Sequence, residues 1–406
     1  MKKISYSLLF FLLPISNSIA QNQEQVIENM KEEISFLASD KMEGRQTGSE
    51  AEKIAAKYIR DKFKNYKLIP KGGDGYFQYF EAKIKEHPHS QSIKKKITGT
   101  NVIGYIDNKK DATIIIGAHY DHIGYGHFGS LHDGEKQVHN GADDNASGVS
   151  ILINLARGLQ EIKDYNYLFI AFSGEEHGLF GSSYYAKNPT IDLEKVKFMI
   201  NFDMVGRLNK EKTLAINGIG TSNQWKNLIN IANTFNLQLK TTESGIGPSD
   251  HTSFYLQDIP AIHFFTGQHA DYHKPTDDID KINFKGMYII YEYVKTIIIN
   301  STEIQEFSFQ QTKSDTAITP TFKVTLGVMP DYLFDGKGMR IDGISKGKTA
   351  EKFGILKGDI VIKMGNMDVT DMMSYMHALS HFSKGDATKV YLKRESKIVE
   401  VEIIFQ

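Results

Sequence analysis

Six side chains of the kind that bind metal ions fall at the ends of predicted strands, and no other feature constrains the fold as strongly. They are His119, Asp144, Glu175, Glu176, Asp203 and His273. The apolar run 114–116 precedes His119, and the run 198–202 precedes Asp203. In open α/β sheets, ligands gather at the carboxyl ends of the strands. The pattern therefore predicts that these side chains meet at one edge of a sheet.

Strand-like and helical runs alternate between residues 101 and 299. Strands are predicted at 101–106, 112–118, 167–172, 196–202 and 259–265, and helices at 146–159, 225–235 and 287–299. Another helix is predicted from Thr47, because Thr47 and Glu50 have capping-box spacing. Such alternation is typical of a sheet with helices on both faces. The predicted fold class is α/β with a mixed, mostly parallel central sheet.

The first twenty residues, the net charge and the cysteine content indicate the compartment in which the protein functions. Lys2 and Lys3, the apolar stretch 8–13 and the small residues up to Ala20 predict a signal peptide over residues 1–20. This stretch is too short to cross a bilayer. A formal net charge of −1 offers no basic surface for nucleic acid, and the absence of cysteine excludes a disulfide scaffold. We expect export to a periplasm or to the extracellular space, with no membrane span.

A change in composition near Phe307 divides the chain. Residues 307–320 are rich in Gln, Thr and Ser and lack periodicity, which predicts a linker between a larger unit, 21–306, and a smaller one, 321–406. In the smaller unit, strands are predicted at 339–344, 360–364, 390–392 and 399–404, and helices at 350–353 and 372–382.

The residue types at the strand ends point to hydrolysis assisted by two metal ions. Two histidines with three carboxylates suit a pair of zinc ions, because imidazole favours zinc and a carboxylate can bridge two ions. Glu175 and Glu176 are adjacent, so one can bind metal while the other acts as a general base.

Other polar residues of these runs receive supporting roles. Asp121 is predicted to orient the imidazole of His119. Asp277, four residues past His273, is predicted to act similarly. The histidines of the Gly-rich loop are interpreted as exposed loop residues, with adventitious metal binding or a lid as the alternatives. They are His122, His127, His132 and His139.

Residues 34–299 resemble the exported dinuclear-zinc aminopeptidases of clan MH, relatives of bacterial leucyl aminopeptidases, glutaminyl cyclases and glutamate carboxypeptidase. The resemblance is carried by SFLASDKMEGRQTGS, TNVIG, GAHYDHIG, NGADDNASG, SGEEHGLFGS, NFDMVGR and DYHKPTDD. It implies a phosphorylase/hydrolase-like zinc-peptidase fold for residues 21–306. It also implies an exported enzyme that removes N-terminal residues from peptides through a metal-bridged water.

The resemblance assigns roles residue by residue. It implies two zinc ions (Zn2+) per chain, one held by His119 and Asp203 and the other by Glu176 and His273, with Asp144 bridging them. It further implies a cis peptide bond after Asp144, with Glu175 as the general base. Tyr272 would donate a hydrogen bond to the oxyanion of the tetrahedral intermediate, and a packing role for its ring stays open as the alternative.

The smaller unit resembles a PDZ domain of the permuted bacterial type over GMRIDGISKGKTAEKFGILKGDIVIKMGNMDVTDM. The resemblance implies that residues 326–329 form a loop that binds a peptide or protein C-terminus. Pro330 and Asp331 depart from the usual loop, because proline lacks an N–H and aspartate adds negative charge. A packing or dimerising module is therefore an open alternative.

Two other functions stay open from the sequence. One is a single-zinc acyl transferase like the glutaminyl cyclases, which lack the first histidine of the dinuclear pattern, so that His119 argues against it. The other is a non-catalytic peptide-binding scaffold, against which the complete ligand set argues. The residue types alone do not separate aminopeptidase from carboxypeptidase action, nor do they fix the metal.

Overall fold

The structure, a computed structural model, describes residues 15–85, 93–126, 129–132, 134–312, 323–331, 334, 336–344 and 347–405. These residues form two sheets, each with its own hydrophobic core. The predicted signal peptide falls mostly on residues 1–14, which lie outside the described residues. Among the helices that are described, none has the length and apolar character that crossing a bilayer requires.

The larger sheet is mixed and its centre is parallel. Its described strands are β1 (Ile69–Pro70), β2 (Phe77–Lys85), β3 (Ile93–Ile106), β4 (Thr113–His119), β5 (Asn166–Phe172), β6 (Val196–Phe202), β7 (Thr213–Asn217), β8 (Gln238–Thr242) and β9 (Ala261–Phe265). Their order is β1-β3-β5-β4-β6-β9-β7-β8, with β2 also beside β3. Strands β5, β4, β6 and β9 run parallel, whereas β3 and β7 are antiparallel to their central neighbours. The predicted mostly parallel, mixed sheet is confirmed.

Helices cover both faces of this sheet. They are α1 (Ile15–Leu37), α2 (Glu50–Asn65), α3 (Gly148–Gly158), α4 (Phe180–Lys187), α5 (Gln224–Ala232), α6 (His251–Tyr255) and α7 (Phe284–Asn300). Along β4, Ile114 and Ile116 join the core that α3 and α7 share, while Ile115 joins a second core with Tyr185 of α4 and Phe254 of α6. Because alternate residues of a strand point to opposite faces, a strand buried on both sides reads as a continuous apolar run.

Local capping differs from the sequence-based expectation at one helix. The side chain of Ser49, not Thr47, caps α2, by accepting a hydrogen bond from the backbone N–H of Glu52. Thr47 instead donates to the carboxylate of Asp121 at 2.9 Å. The capping-box prediction was wrong because a tertiary partner takes the threonine hydroxyl.

The smaller sheet is antiparallel. Its described elements are β10 (Val328–Pro330), β11 (Met339–Ile344), α8 (Thr349–Lys352), β12 (Ile360–Met364), β13 (Met367–Asp368), α9 (Met372–Ser380), β14 (Ala387–Arg394) and β15 (Lys397–Ile404). The strand order is β10-β11-β12-β14-β15, with β13 beside β12. Of the loop predicted at 326–329, the last two residues belong to β10, and Gly327 has a positive φ of 76°.

The first residues of the predicted linker pack on the larger unit. Phe307 is buried against Trp225 and Phe198, with ring centroids 4.6 and 4.9 Å away. The backbone N–H of Thr312 donates to the hydroxyl of Tyr255. The larger unit therefore holds the chain as far as residue 312, while residues 313–320 lie outside the described part of the chain.

Candidate metal centre

Four neighbouring parallel strands end beside one another, and the predicted site residues lie where they end. His119 is the last residue of β4, Asp203 directly follows β6, and Glu175 comes three residues after the end of β5. Asp144 lies in the irregular turn that leads into α3, and His273 lies in the loop after β9. Residues far apart in the sequence are thereby brought to one edge of the sheet.

Asp144 lies between two histidines. Its Oδ1 is 3.5 Å from Nε2 of His119, and its Oδ2 is 3.3 Å from Nε2 of His273. Asp143 points elsewhere, and its Oδ1 accepts a backbone N–H at 2.6 Å. The peptide bond between Asp144 and Asn145 is cis, as the resemblance implied. A carboxylate with one oxygen toward each imidazole has the arrangement that bridging two cations requires.

One half of the site combines His119 with Asp203. Nε2 of His119 lies 3.2 Å from Oδ1 of Asp203 and 4.0 Å from Oε2 of Glu175. Burial alone would lower the pKa of His119, but the neighbouring carboxylates of Asp203 and Glu175 raise it well above its usual value. Nε2 of this buried ring has no hydrogen-bond partner among the described residues. Such a nitrogen, surrounded by carboxylate oxygens, is suited to a cation.

The other half contains two imidazoles. Nε2 of His273 lies 3.1 Å from Oε2 of Glu176, while its Nδ1 donates to the carbonyl of Gly129 at 2.8 Å. Nδ1 of His122 lies 2.6 Å from Oε1 of Glu176. His122 is fully buried, so its interpretation as an exposed loop residue was wrong. Its position three residues past His119, directly after a buried strand, was the signal that could have placed it in the site.

The other histidines of the Gly-rich loop differ in burial. His139 is also buried, contrary to expectation, and its Nε2 lies 2.8 Å from the hydroxyl of Ser130. Burial lowers the pKa of His139 to about 4, which keeps the ring neutral. His132 is partly buried, and His127 lies outside the described residues. Neither His139 nor His132 contributes to the metal-type groups found among the described residues.

The adjacent glutamates have opposite electrostatic environments. Burial raises the pKa of Glu175 well above its usual range, and Asp203 and Asp250 raise it further against the opposing effect of His119. Burial acts on Glu176 in the same direction, but His273 and His122 hold its pKa well below the usual range. Paired carboxyl groups whose pKa values are pushed apart can divide proton transfer and charge binding between them.

Asp121 contacts a second partner besides the one expected. The nearest atom of Asp121 to Nδ1 of His119 is its backbone carbonyl, at 3.2 Å, whereas the carboxylate Oδ1 is 3.7 Å away. That Oδ1 accepts a hydrogen bond from the backbone N–H of Glu175 at 3.2 Å. The carboxylate therefore lies beside the imidazole of His119 and also holds the loop that carries Glu175, so its orienting role stays a prediction.

Asp277 likewise supports the bridge and not His273. Its Oδ2 accepts the backbone N–H groups of Asp143 and Asp144 at 2.9 and 3.0 Å. Its Oδ1 accepts a hydrogen bond from Arg207 at 2.9 Å. The prediction of a role at His273 was wrong, since the carbonyl of Gly129 already takes Nδ1 of that ring.

A buried arginine joins the loops behind the site. Arg45 donates to the carbonyls of Leu37, Tyr120, Asn140 and Gly141 at distances between 2.5 and 3.0 Å. Burial lowers its pKa to about 10, and the nearby carboxylates, that of Asp144 foremost, oppose this. Five N–H donors in a fixed fork make arginine able to tie several carbonyls at once. The residues next to His119 and Asp144 are fixed in this way.

The cavity in front of these side chains is small. Its volume is about 60 Å³, and it is lined by Asp144, Glu175, Glu176, Asp203, Met204, Asn217, Pro248, His263, Phe265, Gln268, Tyr272 and His273. The ring of Tyr272 stacks on that of His273, with centroids 3.9 Å apart and planes inclined by 23°. Tyr272 therefore forms part of the cavity wall beside the imidazole.

The donor set fits zinc. Among the residues that the structure describes, two groups have ligand atoms within 4.8 Å of one another, namely His119 with Asp144 and Asp203, and His122 with Asp144 and Glu176. Each combines an imidazole with carboxylates, which is the nitrogen and oxygen environment that zinc accepts.

Part of the chain is similar in sequence to known peptidases. Residues 101–298 match the profile of peptidase family M28, and all six convergent side chains lie within the match. Aminopeptidase YwaD of Bacillus subtilis is 29% identical over 222 residues, which cover 52% of this chain and 45% of that protein. A probable leucine aminopeptidase of Trichophyton verrucosum is 28% identical over 224 residues, covering 51% and 56%. The chain thus spans about half the length of these curated relatives.

Solved structures share the fold. The zinc aminopeptidase BSAP from Bacillus subtilis superposes with a TM-score of 0.56 at 20% identity, covering 68% of this chain and 95% of that one. A Zn-dependent exopeptidase from Parabacteroides distasonis superposes with a TM-score of 0.54 at 19% identity, covering 69% and 98%. Residues 101–298, which contain the convergent side chains, are therefore similar in sequence to peptidase family M28, and the chain shares its fold with these zinc peptidases.

Proposed function

We propose that this chain is an exported, zinc-dependent aminopeptidase that hydrolyses N-terminal residues from peptides. The observation that carries the proposal is the position of Asp144, whose two carboxylate oxygens face His119 and His273 separately. The relatives named as aminopeptidases support the same activity. The predicted signal peptide over residues 1–20 supports export.

In this proposal the chain holds two zinc ions. His119 and Asp203 would bind one, Glu176 and His273 would bind the other, and both groups would share Asp144. Bound zinc would supply Lewis acidity that lowers the pKa of a water and polarises the scissile carbonyl. His122 supports the second ion by hydrogen bonding to Oε1 of Glu176, which leaves Oε2 toward His273.

Glu175 serves as the general base. Its side chain is 12% exposed, so it reaches the cavity while staying mostly out of bulk water. Its Oε2 accepts the proton of the attacking water and then delivers it to the leaving amine. A positioned base of this kind contributes about 10²–10⁴ in rate.

Two further residues assist the base and the oxyanion. Asp121 acts as a positioning residue, because its carboxylate accepts the backbone N–H of Glu175. Tyr272 lines the cavity beside His273 and donates its hydroxyl proton to the oxyanion. Losing one such donor costs about 10²–10³ in rate.

The smaller unit is proposed to be a PDZ domain over residues 321–406, after a linker at 307–320. The antiparallel strands β10, β11, β12 and β14 and the helix α9 are consistent with this. The loop at 326–329 would then bind a peptide or protein C-terminus.

The substitution Glu175→Gln tests the proposal. We expect hydrolysis of a leucyl arylamide to fall by about 10²–10⁴ while two zinc ions per chain stay bound, because no proposed ligand is removed. Glu194→Gln, at an exposed carboxylate, is the matched control. Zinc content is measured by elemental analysis, and an N-blocked peptide should resist cleavage.

Three results would contradict the assignment. Undiminished turnover by the Glu175→Gln variant would show that Glu175 is not the general base. One zinc per chain, with cyclisation of N-terminal glutamine, would favour an acyl transferase. A chain that binds no divalent metal would favour a scaffold.

A further inference from the structure

A second and larger cavity opens beside the metal site, between the central sheet and the smaller unit. Its volume is about 650 Å³, compared with about 60 Å³ for the cavity at the metal site. Asn217 and Pro248 line both cavities, so the two are neighbours across a shared wall. Cavities of about 300–1,000 Å³ are the size that holds ligands larger than one amino acid.

A row of polar side chains leads across the sheet from one cavity to the other. His263 on β9 pairs with Asn217 on β7, and Asn217 pairs with Thr242 on β8. Directly paired residues of neighbouring strands point to the same face. The hydroxyl of Thr242 donates to Oδ1 of Asn217 at 2.8 Å. This row joins the metal-site cavity, which His263 lines, to the larger one, which Thr242 lines.

The smaller unit forms the opposite wall of this cleft. Phe334, Met339 and Met376 supply apolar surface to it. The described lining carries the carboxylates Glu243, Asp331 and Asp371, and it contains no lysine or arginine. Asp331 is paired with Arg340, and Asp371 caps α9 by accepting the backbone N–H of Ser374. Together with the exposed Glu243, these carboxylates make the described part of the lining acidic.

We infer that this cleft binds the part of a peptide substrate that follows the residue cleaved off, and that it favours cationic side chains there. The inference rests on the proposed function, because the substrate of an aminopeptidase extends from the metal site in one direction only. A cavity of 60 Å³ leaves the rest of such a chain outside, and the adjoining cleft offers it apolar walls and acidic groups. The substrates are then basic peptides of several residues, and the smaller unit is part of the substrate site.

Substrate length provides the first test, with the full-length zinc-loaded enzyme. A leucyl arylamide and the dipeptide Leu-Gly reach only the metal site, whereas hexapeptides that begin with leucine reach the cleft. We expect kcat/KM to rise at least about tenfold from dipeptide to hexapeptide, the gain expected from added subsite contacts. Hexapeptides with lysine in the later positions should have a kcat/KM up to about fivefold higher than those with glutamate there, which is the range expected for an exposed ion pair.

Two variants test the walls of the cleft. Glu243→Lys should reverse the preference for lysine over glutamate, because it replaces an attractive charge with a repulsive one. Gln311→Trp places a large ring at an exposed lining position and should reduce the ratio of hexapeptide to arylamide kcat/KM. Glu194→Lys, at an exposed position beside the amino end of β6, is the matched control and should change neither quantity.

The outcomes separate the two proposals. If the arylamide is not hydrolysed at all, the proposed function fails and the cleft loses its role. If the arylamide is hydrolysed but kcat/KM is the same for all lengths and charges, the inference alone is overturned. Better cleavage of peptides lengthened on the amino side would also overturn it. Should Gln311→Trp fail to fold, the charge reversal at Glu243 still decides the question.

Discussion

Replacing Asp277 by alanine should weaken both the fold and metal binding. Its carboxylate, fully buried, accepts the backbone N–H groups of Asp143 and Asp144 and a hydrogen bond from Arg207. The substitution leaves two buried N–H groups without an acceptor, at about 1–3 kcal/mol each. Arg207 keeps a second, longer contact to Asp271 at 3.4 Å, which limits the further loss. We expect the free energy of unfolding to fall by about 3–5 kcal/mol.

The same substitution frees the turn that holds Asp144. Residues that position a metal ligand typically change metal affinity by about 10–100-fold when they are removed. We expect a loss of that size in zinc affinity, measured by competition with a chelator. Asp277→Asn, which keeps the shape and one acceptor oxygen, should lie between the wild type and Asp277→Ala.

The assay uses the single tryptophan of the chain. Trp225 is buried between Phe198 and Phe307 in the core of the larger unit, so its fluorescence during urea unfolding reports on that unit. Asp280→Ala, at an exposed carboxylate three residues away, is the control and should change stability by less than about 0.5 kcal/mol. Loss of less than about 1 kcal/mol for Asp277→Ala, with unchanged zinc affinity, would refute the reasoning.

Three further predictions concern metal binding and pH. His122→Ala should lower zinc affinity about 10–100-fold, because it removes the imidazole that holds Oε1 of Glu176. His132→Ala, in the same loop, is the control and should not change zinc affinity. Competition with a chelator measures both variants. Burial raises the pKa of Glu33 to about 8 from 4.5, so the folded chain keeps a proton that the unfolded chain releases. The free energy of unfolding should therefore fall as the pH rises from about 5 to about 8, because only the folded chain keeps this proton. Urea unfolding at about pH 5 and 8 measures this decline. Glu33→Gln should remove the decline, whereas Glu24→Gln, at an exposed carboxylate, should not. Removing zinc with a chelator should lower Tm, and adding zinc back should restore it, because ligands that bind only the folded state stabilise it; a Tm independent of zinc would contradict the metal centre.

Local patterns in the sequence account for the elements that carry the site. Strands β6, β11 and β12 begin and end at the predicted residues, β4 is shifted by one residue, and β5 and β9 differ from the prediction only at their first residues, by one and two positions. These are short runs of apolar residues, and burial on both sheet faces makes such runs easy to recognise. Strands β7 and β8 were not predicted. The sequence of β8 lacks a long apolar run because that strand is exposed along most of its length, whereas β7 is mostly buried but only five residues long.

The hydrogen-bond partners of polar side chains were predicted less well than the strands. Thr47, Asp121 and Asp277 were each assigned a partner within four residues, and each also forms hydrogen bonds with residues much farther along the chain. Sequence spacing predicts a contact only where the backbone between two residues is regular, and all three lie in loops or at their edges. The partners of these residues depend on how separate loops pack, which spacing does not contain.

By itself, the sequence determined the alternation of strands and helices, the mixed sheet, and the histidines and carboxylates at its carboxyl edge. Strand periodicity and residue type encode these features locally. The tertiary structure decided that His122 joins Glu176, that Arg45 and Asp277 hold the loops behind the site, and that the smaller unit forms one wall of a cleft beside it. Each of these depends on distances between segments far apart in the chain, which only the packing of the whole fold sets.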